Sequence, residues 1–253
     1  MNRLLIKNGH LLDPANKLNQ QADLYIENGH IVAIDNAPEN FTTDQTIDAE
    51  GLTVIPGVVD LCARLREPGQ EYKATIHSET IAAAMSGITT LCCPPDTDPV
   101  IDEPAVVELI NHKTANAAHS NVLMLGALTT GLKGELLSEM QALQIAGCVG
   151  LSNAKQPVEN TLVLKRADAY AANGGFTVFI EPDEHWLGAG GCAHDGTIAS
   201  RLGLKGIPVS AETVALARAL EIVKETGVKA HFGRLSSAVS IDMIRRAKDD
   251  GLS

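Results

Sequence analysis

Positive charge is in short supply in this chain. Its 20 Lys and Arg residues stand against 31 Asp and Glu, a formal charge of −11, and aromatic side chains make up only 3%. That balance argues against nucleic-acid binding that rests on neutralising phosphates, and no basic patch interrupts it. Long apolar runs are missing as well. No stretch reaches the roughly 18 consecutive apolar residues of a membrane span, and Leu4-Leu5-Ile6 is too short for the apolar region of a signal peptide. Cysteines are few, odd in number and without paired spacing: Cys62, Cys92, Cys93, Cys148 and Cys192 contain no CxxC, so neither a disulfide framework nor a zinc knuckle is indicated. Reduced thiols in a soluble, cytoplasmic protein are the expectation.

What is present is enough apolar material, 45% of 253 residues, for one large domain and a small one. The first fifty residues are strand-like. Asn8-Gly9 and Asn28-Gly29 sit between short apolar runs, and Asn-Gly tolerates the positive φ of a type I′ hairpin, so two hairpins and a small β-sandwich module over 1–52 are expected. From residue 53 the pattern changes to alternating strands and helices. Strands are predicted near 54–62, 89–94, 121–128, 147–152, 176–181 and 229–236, with helices over 73–86, 103–118, 134–146, 161–173, 211–226 and 237–250. Strict alternation means an α/β fold with a parallel sheet and right-handed crossovers. About six βα units are visible over 53–253, where a closed (β/α)8 barrel has eight, so an incomplete TIM-type barrel is expected. Either the chain is a fragment or an open barrel edge has to be covered.

Chemistry in such a barrel sits at the carboxyl ends of the strands. The apolar run Val54-Ile55-Pro56-Gly57-Val58-Val59 ends in Asp60, followed by Cys62, Arg64 and Arg66 at alternate positions. Read alone, Cys62 lacks a base nearby in sequence and is expected to be a small buried residue. Cys92 and Cys93 are expected to be strand residues facing opposite sides. His185, His194 and His231 lie on separate segments without metal-ligand spacing, and surface roles are expected. Gly188-Ala189-Gly190-Gly191 lacks the preceding strand and following Lys-Ser/Thr of a phosphate loop and reads as a flexible loop.

Several segments together carry a specific likeness. Pro56-Gly57-Val58-Val59-Asp60-Leu61 with Leu65-Arg66-Glu67-Pro68-Gly69, Cys93-Pro94-Pro95-Asp96-Thr97-Asp98-Pro99, Ser200-Arg201-Leu202-Gly203-Leu204-Lys205-Gly206-Ile207-Pro208 with Ala211-Glu212-Thr213, and Ser236-Ser237-Ala238-Val239-Ser240 resemble bacterial dihydroorotases of the amidohydrolase superfamily. The resemblance implies a metal-dependent-hydrolase barrel. It also implies where zinc ligands belong, and there the sequence departs from the pattern. The two first-strand imidazoles align with Cys62 and Arg64, the fourth-strand Asp with Asn153, the fifth-strand His near Ile180 and the sixth-strand His with Arg234; the eighth-strand Asp would lie beyond Ser253. Lys155 lies two residues after Asn153, but its surroundings differ from those of the carboxylated lysine in related hydrolases.

A guanidinium stays charged and offers no lone pair to a cation, so no family zinc and no catalytic residue is expected. Arg66 and Asp96 remain as remnants of a substrate site. The arginine of the Leu-Arg-Glu-Pro-Gly loop would hold the substrate carboxylate, but Asp96, where the family has Asn, would repel it, so Arg66 is expected to support the loop through Glu67 or Asp96. The departures resemble pseudo-dihydroorotases, and what that implies is a non-catalytic subunit in a hetero-oligomer with the catalytic subunit of aspartate carbamoyltransferase in pyrimidine biosynthesis. The alternative is an active dihydroorotase, or a related zinc-dependent cyclic amidohydrolase, with a rebuilt site.

Overall fold

A computed structural model describes residues 2–252, which fall into two compact units, Met1–Val58 and Val59–Ser253. In the first unit, β1 (Arg3–Asp13), β2 (Leu18–Glu27), β3 (His30–Ile34), β4 (Gln45–Asp48) and β5 (Thr53–Val54) form one sheet in the order β3-β2-β1-β4, with β5 also paired to β1. Leu11, Ala22 and Leu24 form its core. The Asn28-Gly29 hairpin is present, with φ of 52° and 80°. Asn8-Gly9 is not a hairpin. β1 runs through it, and the register against β2 shifts between Ile6 and Gly9, a bulge in which Asn8 takes φ 60°. Glycine is required at position 9 for packing: a Cβ there would lie 2.7 Å from Val54 Cγ2. The chain reverses instead at Pro14–Lys17, closed by Lys17 N–H donating to Pro14 O.

The second unit alternates strand and helix: β6 (Val58–Asp60), α1 (Ile76–Met85), β7 (Ile88–Cys93), α2 (Pro104–Ala117), β8 (Asn121–Ala127), α3 (Met140–Ala146), β9 (Cys148–Ser152), α4 (Thr161–Asn173) and β10 (Thr177–Ile180). An excursion follows, with α5 (His185–Gly188), β11 (Ala193–His194), α6 (Thr197–Leu202) and β12 (Gly206–Ile207), before α7 (Val209–Thr226), β13 (Lys229–Phe232) and α8 (Ala238–Asp249). Six strands form one sheet in the order β13-β10-β9-β8-β7-β6, parallel from β7 to β13. The expected incomplete barrel is therefore present as a curled, open sheet flanked by helices. Leu65, Ile76, Val107, Ile110, Met140, Leu143, Leu151 and Val178 are among the side chains of its main core.

Helix starts follow local chemistry. Thr75 and Ser78 form a capping box at α1, Pro104 opens α2, and Asn160 accepts from Leu162 N–H at α4. Two starts differ from expectation. Lys73 lies in the turn before α1, and residues 134–139 are irregular: Gly134 has φ 71° and its N–H is spent on Thr129 Oγ1 at 2.9 Å. The sequence pattern predicts no helix or strand in the excursion between β10 and α7, and a flexible loop only at Gly188–Gly191. Its pattern is too short for periodicity to register, and its glycines serve close packing: Gly191 N–H donates to Gly188 O, and a Cβ at Gly191 would meet Ile207 Cγ1 at 2.4 Å. The run is a packed turn rather than a flexible loop.

Candidate functional site

Asp60 is the last residue of β6, and its Oδ1 accepts from Cys62 N–H at 2.9 Å, turning the chain so that Cys62 and Arg64 follow on the strand-end face. Cys62 is only partly buried. Its thiol donates to Glu181 Oε1 at 3.7 Å, Arg64 Nη1 approaches the sulfur at 3.7 Å, and Arg234 Nη2 approaches it at 3.9 Å. The expectation of a buried filler is corrected to a partly exposed thiol, and the carboxylate that lies against it, Glu181, comes from far away in sequence. The fifth strand ends in Ile180, whose O accepts from Gly233 N–H at 2.9 Å and whose side chain packs on the core. One residue on, Glu181 is the group that reaches the site.

Each guanidinium already has a carboxylate partner. Arg64 Nε lies 2.7 Å from Asp96 Oδ2, with side chains 16% and 28% exposed, and Arg234 Nη1 lies 3.4 Å from Glu181 Oε2. Burial alone would lower the Arg64 pKa; Asp96, with Cys62 and Glu181, outweighs it and raises it. Asp96 thus serves Arg64, not Arg66. Glu67 is also committed, to Lys113 Nζ at 2.6 Å and to Ile76 N–H at 2.8 Å. Burial pushes the Glu67 carboxyl up, and the bonds from Lys113 and Ile76 pull it below its ordinary range. The expected support of the loop by Arg66 through a carboxylate is therefore corrected: exposed Arg66, at φ 64°, donates to Gln70 Oε1 at 3.3 Å. The loop is instead fixed by Gly69, where a Cβ would fall 2.4 Å from Asp98 Cβ at φ 102°.

Asn153, buried after β9, is fully used. It accepts from Thr129 Oγ1 at 2.7 Å and donates Nδ2 to Leu132 O at 3.2 Å and Gln156 O at 2.8 Å. Lys155 is exposed. His185 packs edge-on against Trp186, His194 lies on β11, and His231 packs against Phe179 with ring centroids 4.9 Å apart. Among the described residues no three His, Cys, Asp or Glu side chains converge. Zinc needs neutral imidazole, thiolate or carboxylate lone pairs arranged around it. Cys62, Arg64, Asn153, Ile180 and Arg234 supply a single thiol, two guanidiniums, a committed amide and an alkyl group instead, so these residues do not fit a family-type zinc centre. Burial pushes the thiols of Cys92, Cys93 and Cys148 up to about 12, so they stay protonated and unreactive.

Sequence reading passed over Glu212. Beside the pair formed by Arg234 and Glu181 is a cleft of about 320 Å³ that Glu212, Asp183, His194 and Ser236 also line. Glu212 on α7 accepts from Ser236 N–H, Ser236 Oγ and Ser237 N–H, pinning the segment that carries Arg234. Burial pushes this carboxyl up, but the Ser240 and Ser236 hydroxyls and the two amides hold it at about 2. A carboxylate held that low stabilises the fold at pH above its ordinary range and loses the contribution as pH falls toward 2. Glu212→Ala should lower stability by about 1–3 kcal/mol at pH 7. In urea denaturation the gap from the parent should narrow from pH 5 to pH 3; a gap independent of pH would contradict this role.

A family profile described as Dihydro-orotase-like matches residues 51–240. A "Dihydroorotase-like protein" of Pseudomonas aeruginosa is 48% identical over 247 residues, covering 98% of this chain and 58% of the relative. A "Dihydroorotase" of Syntrophotalea carbinolica is 37% identical over 249 residues, covering 98% and 58%. Among solved structures, the L-hydantoinase (dihydropyrimidinase) of Arthrobacter aurescens aligns over 100% of this chain and 57% of its own, with TM-score 0.83 and 20% identity, a likeness of fold. The chain thus spans a little under three fifths of the length of these relatives.

Proposed function

This chain belongs to the dihydroorotase-like family of the amidohydrolase superfamily, and from that premise we propose that it is a non-catalytic member, an assembly subunit for the aspartate carbamoyltransferase catalytic subunit in pyrimidine biosynthesis. One observation carries the reading. Where amide hydrolysis in such a barrel would need a dication, Arg64 and Arg234 bring two fixed positive charges to within 3.7 and 3.9 Å of the Cys62 sulfur. Metal-assisted hydrolysis depends on a metal that lowers the pKa of bound water to about 7 and polarises the carbonyl. Guanidiniums oppose the binding of that metal. Glu181, the carboxylate nearest the thiol, is paired with Arg234. The fold tolerates this because a barrel's packed core and its strand-end chemistry are separable.

The test is metal analysis of the purified chain with a dihydroorotate hydrolysis assay, and co-expression with aspartate carbamoyltransferase followed by mass measurement in light scattering. We expect substoichiometric zinc, no turnover and a defined hetero-oligomer. Stoichiometric zinc with turnover would establish the competing reading, the activity named for the 37% identical relative. Failure to form a complex would overturn the assembly role.

A further inference from the structure

The helix α4 buries Leu164, Ala167, Asp168 and Ala171, positions spaced as one stripe of an amphipathic helix. A carboxylate therefore occupies an inward position where the stripe calls for an apolar side chain. Asp168 is 0% exposed, and among the described residues neither carboxylate oxygen has a hydrogen-bond donor. The elements that pack most closely on α4 are α7 and β10. β10 carries no charged residue. On α7, Arg218 donates to Val158 O and Glu159 O, Glu225 pairs with Lys165 of α4, and Glu212 is held by the serines after β13. Glu221 and Lys224 of α7 and Arg166 of α4 make no hydrogen bond to Asp168 either. An ionised carboxylate at this point would be a buried charge without compensation, whereas the neutral acid costs far less.

We propose that Asp168 is a proton-operated latch between α4 and α7, neutral while the helices are closed and ionised only when they part. Desolvation is the physical cause, and it pushes the carboxyl from its ordinary 3.8 to about 7. The sign follows from proton counting. Between about pH 4 and pH 7 the closed state keeps a proton that the open state has lost, so raising the pH favours opening by up to tenfold per unit, levelling off above about 7. A chain near neutral pH therefore holds its α4–α7 contact on the edge of this titration. The latch stands independently of the assembly role proposed above, since Asp168 is not among the strand-end residues on which that role rests.

Two measurements on the full chain test it. Carboxyl resonances of 13C-labelled aspartate, followed by NMR from pH 3 to 9, should include one with a midpoint near 7 that is absent in Asp168→Asn. Hydrogen exchange, corrected for its intrinsic pH dependence, should show the opening equilibrium of the amides of α4 and α7 rising about tenfold from pH 6 to pH 8, with β8 and β9 changing less, and Asp168→Asn should abolish the difference. An Asp168 resonance titrating near pH 4 overturns the proposal, as does a wild-type opening equilibrium that is flat between pH 6 and 8. The wild-type measurements decide the matter even if the variant folds poorly.

Discussion

Replacing Asn153 by Asp, the residue type that the family pattern places there, should weaken the fold by about 3 kcal/mol at pH 8, because it leaves a buried charge without a partner. The amide is 7% exposed and gives both Nδ2 hydrogens to carbonyl oxygens, Leu132 O at 3.2 Å and Gln156 O at 2.8 Å. A carboxylate there would set negative oxygen against carbonyl oxygen, with only the Thr129 hydroxyl still donating. The cell of structure around Asn153 has therefore been rebuilt for an amide. Protonation would relieve the repulsion, so the penalty should shrink as pH falls toward 4: the folded state would hold its proton more tightly than the unfolded chain. Urea denaturation at pH 5 and pH 8 measures both quantities. A variant as stable as the parent at pH 8 would show that Asn153 is not a structural brace.

Breaking the ion pair between Arg64 and Asp96 should have an effect of similar size. In Arg64→Met, Asp96 would keep its charge in a site where Oδ1 already has no partner and Oδ2 loses its contact at 2.7 Å. The penalty for orphaning one member of such a pair is about 3 kcal/mol. The second substitution should then help: Arg64→Met with Asp96→Asn removes the stranded charge and should recover most of the loss, since neutral replacements of buried pairs cost little. Denaturation of the four proteins of this double-mutant cycle gives the coupling directly. If the double variant is less stable than Arg64→Met, the pair is not the unit of stabilisation. Metal content should stay substoichiometric in all four, because removing a guanidinium does not supply a lone pair at Ile180 or Asn153.

Strand order and helix positions in the second unit were legible because each element is long enough to show its period. The stretch 161–173 is expected as a helix, and α4 occupies those residues; five of the six strands lie within a few residues of expectation, while the strand expected over 54–62 is reduced to Val58–Asp60, Val54 pairing instead with β1. What escaped was set by distance in sequence. Nothing local in Asn8-Gly9 shows that Val54 will pack on it, so a motif that makes a hairpin at Asn28-Gly29 makes a bulge at Gly9. The same holds at the candidate site. Cys62, Arg64 and Arg234 could be picked out by alignment to a pattern, but their partners Asp96 and Glu181 are brought in by folding from 32 and 119 residues away from Arg64 and Cys62. Asp168 did leave a local trace, an acid in the middle of the apolar stripe formed by Leu164, Ala167 and Ala171. That trace is visible only when polar residues on an apolar face are searched for as deliberately as metal ligands are.

The sheet order β13-β10-β9-β8-β7-β6 follows the order of the chain without a crossing. Each strand docks beside the one made just before it in this sheet, so none has to be held apart for a later arrival to slip between. Loop closure is paid in small increments, one helical excursion at a time. Such a sheet can be extended from its amino-terminal strand while the rest of the chain is still emerging from the ribosome, each addition covering the edge exposed by the last.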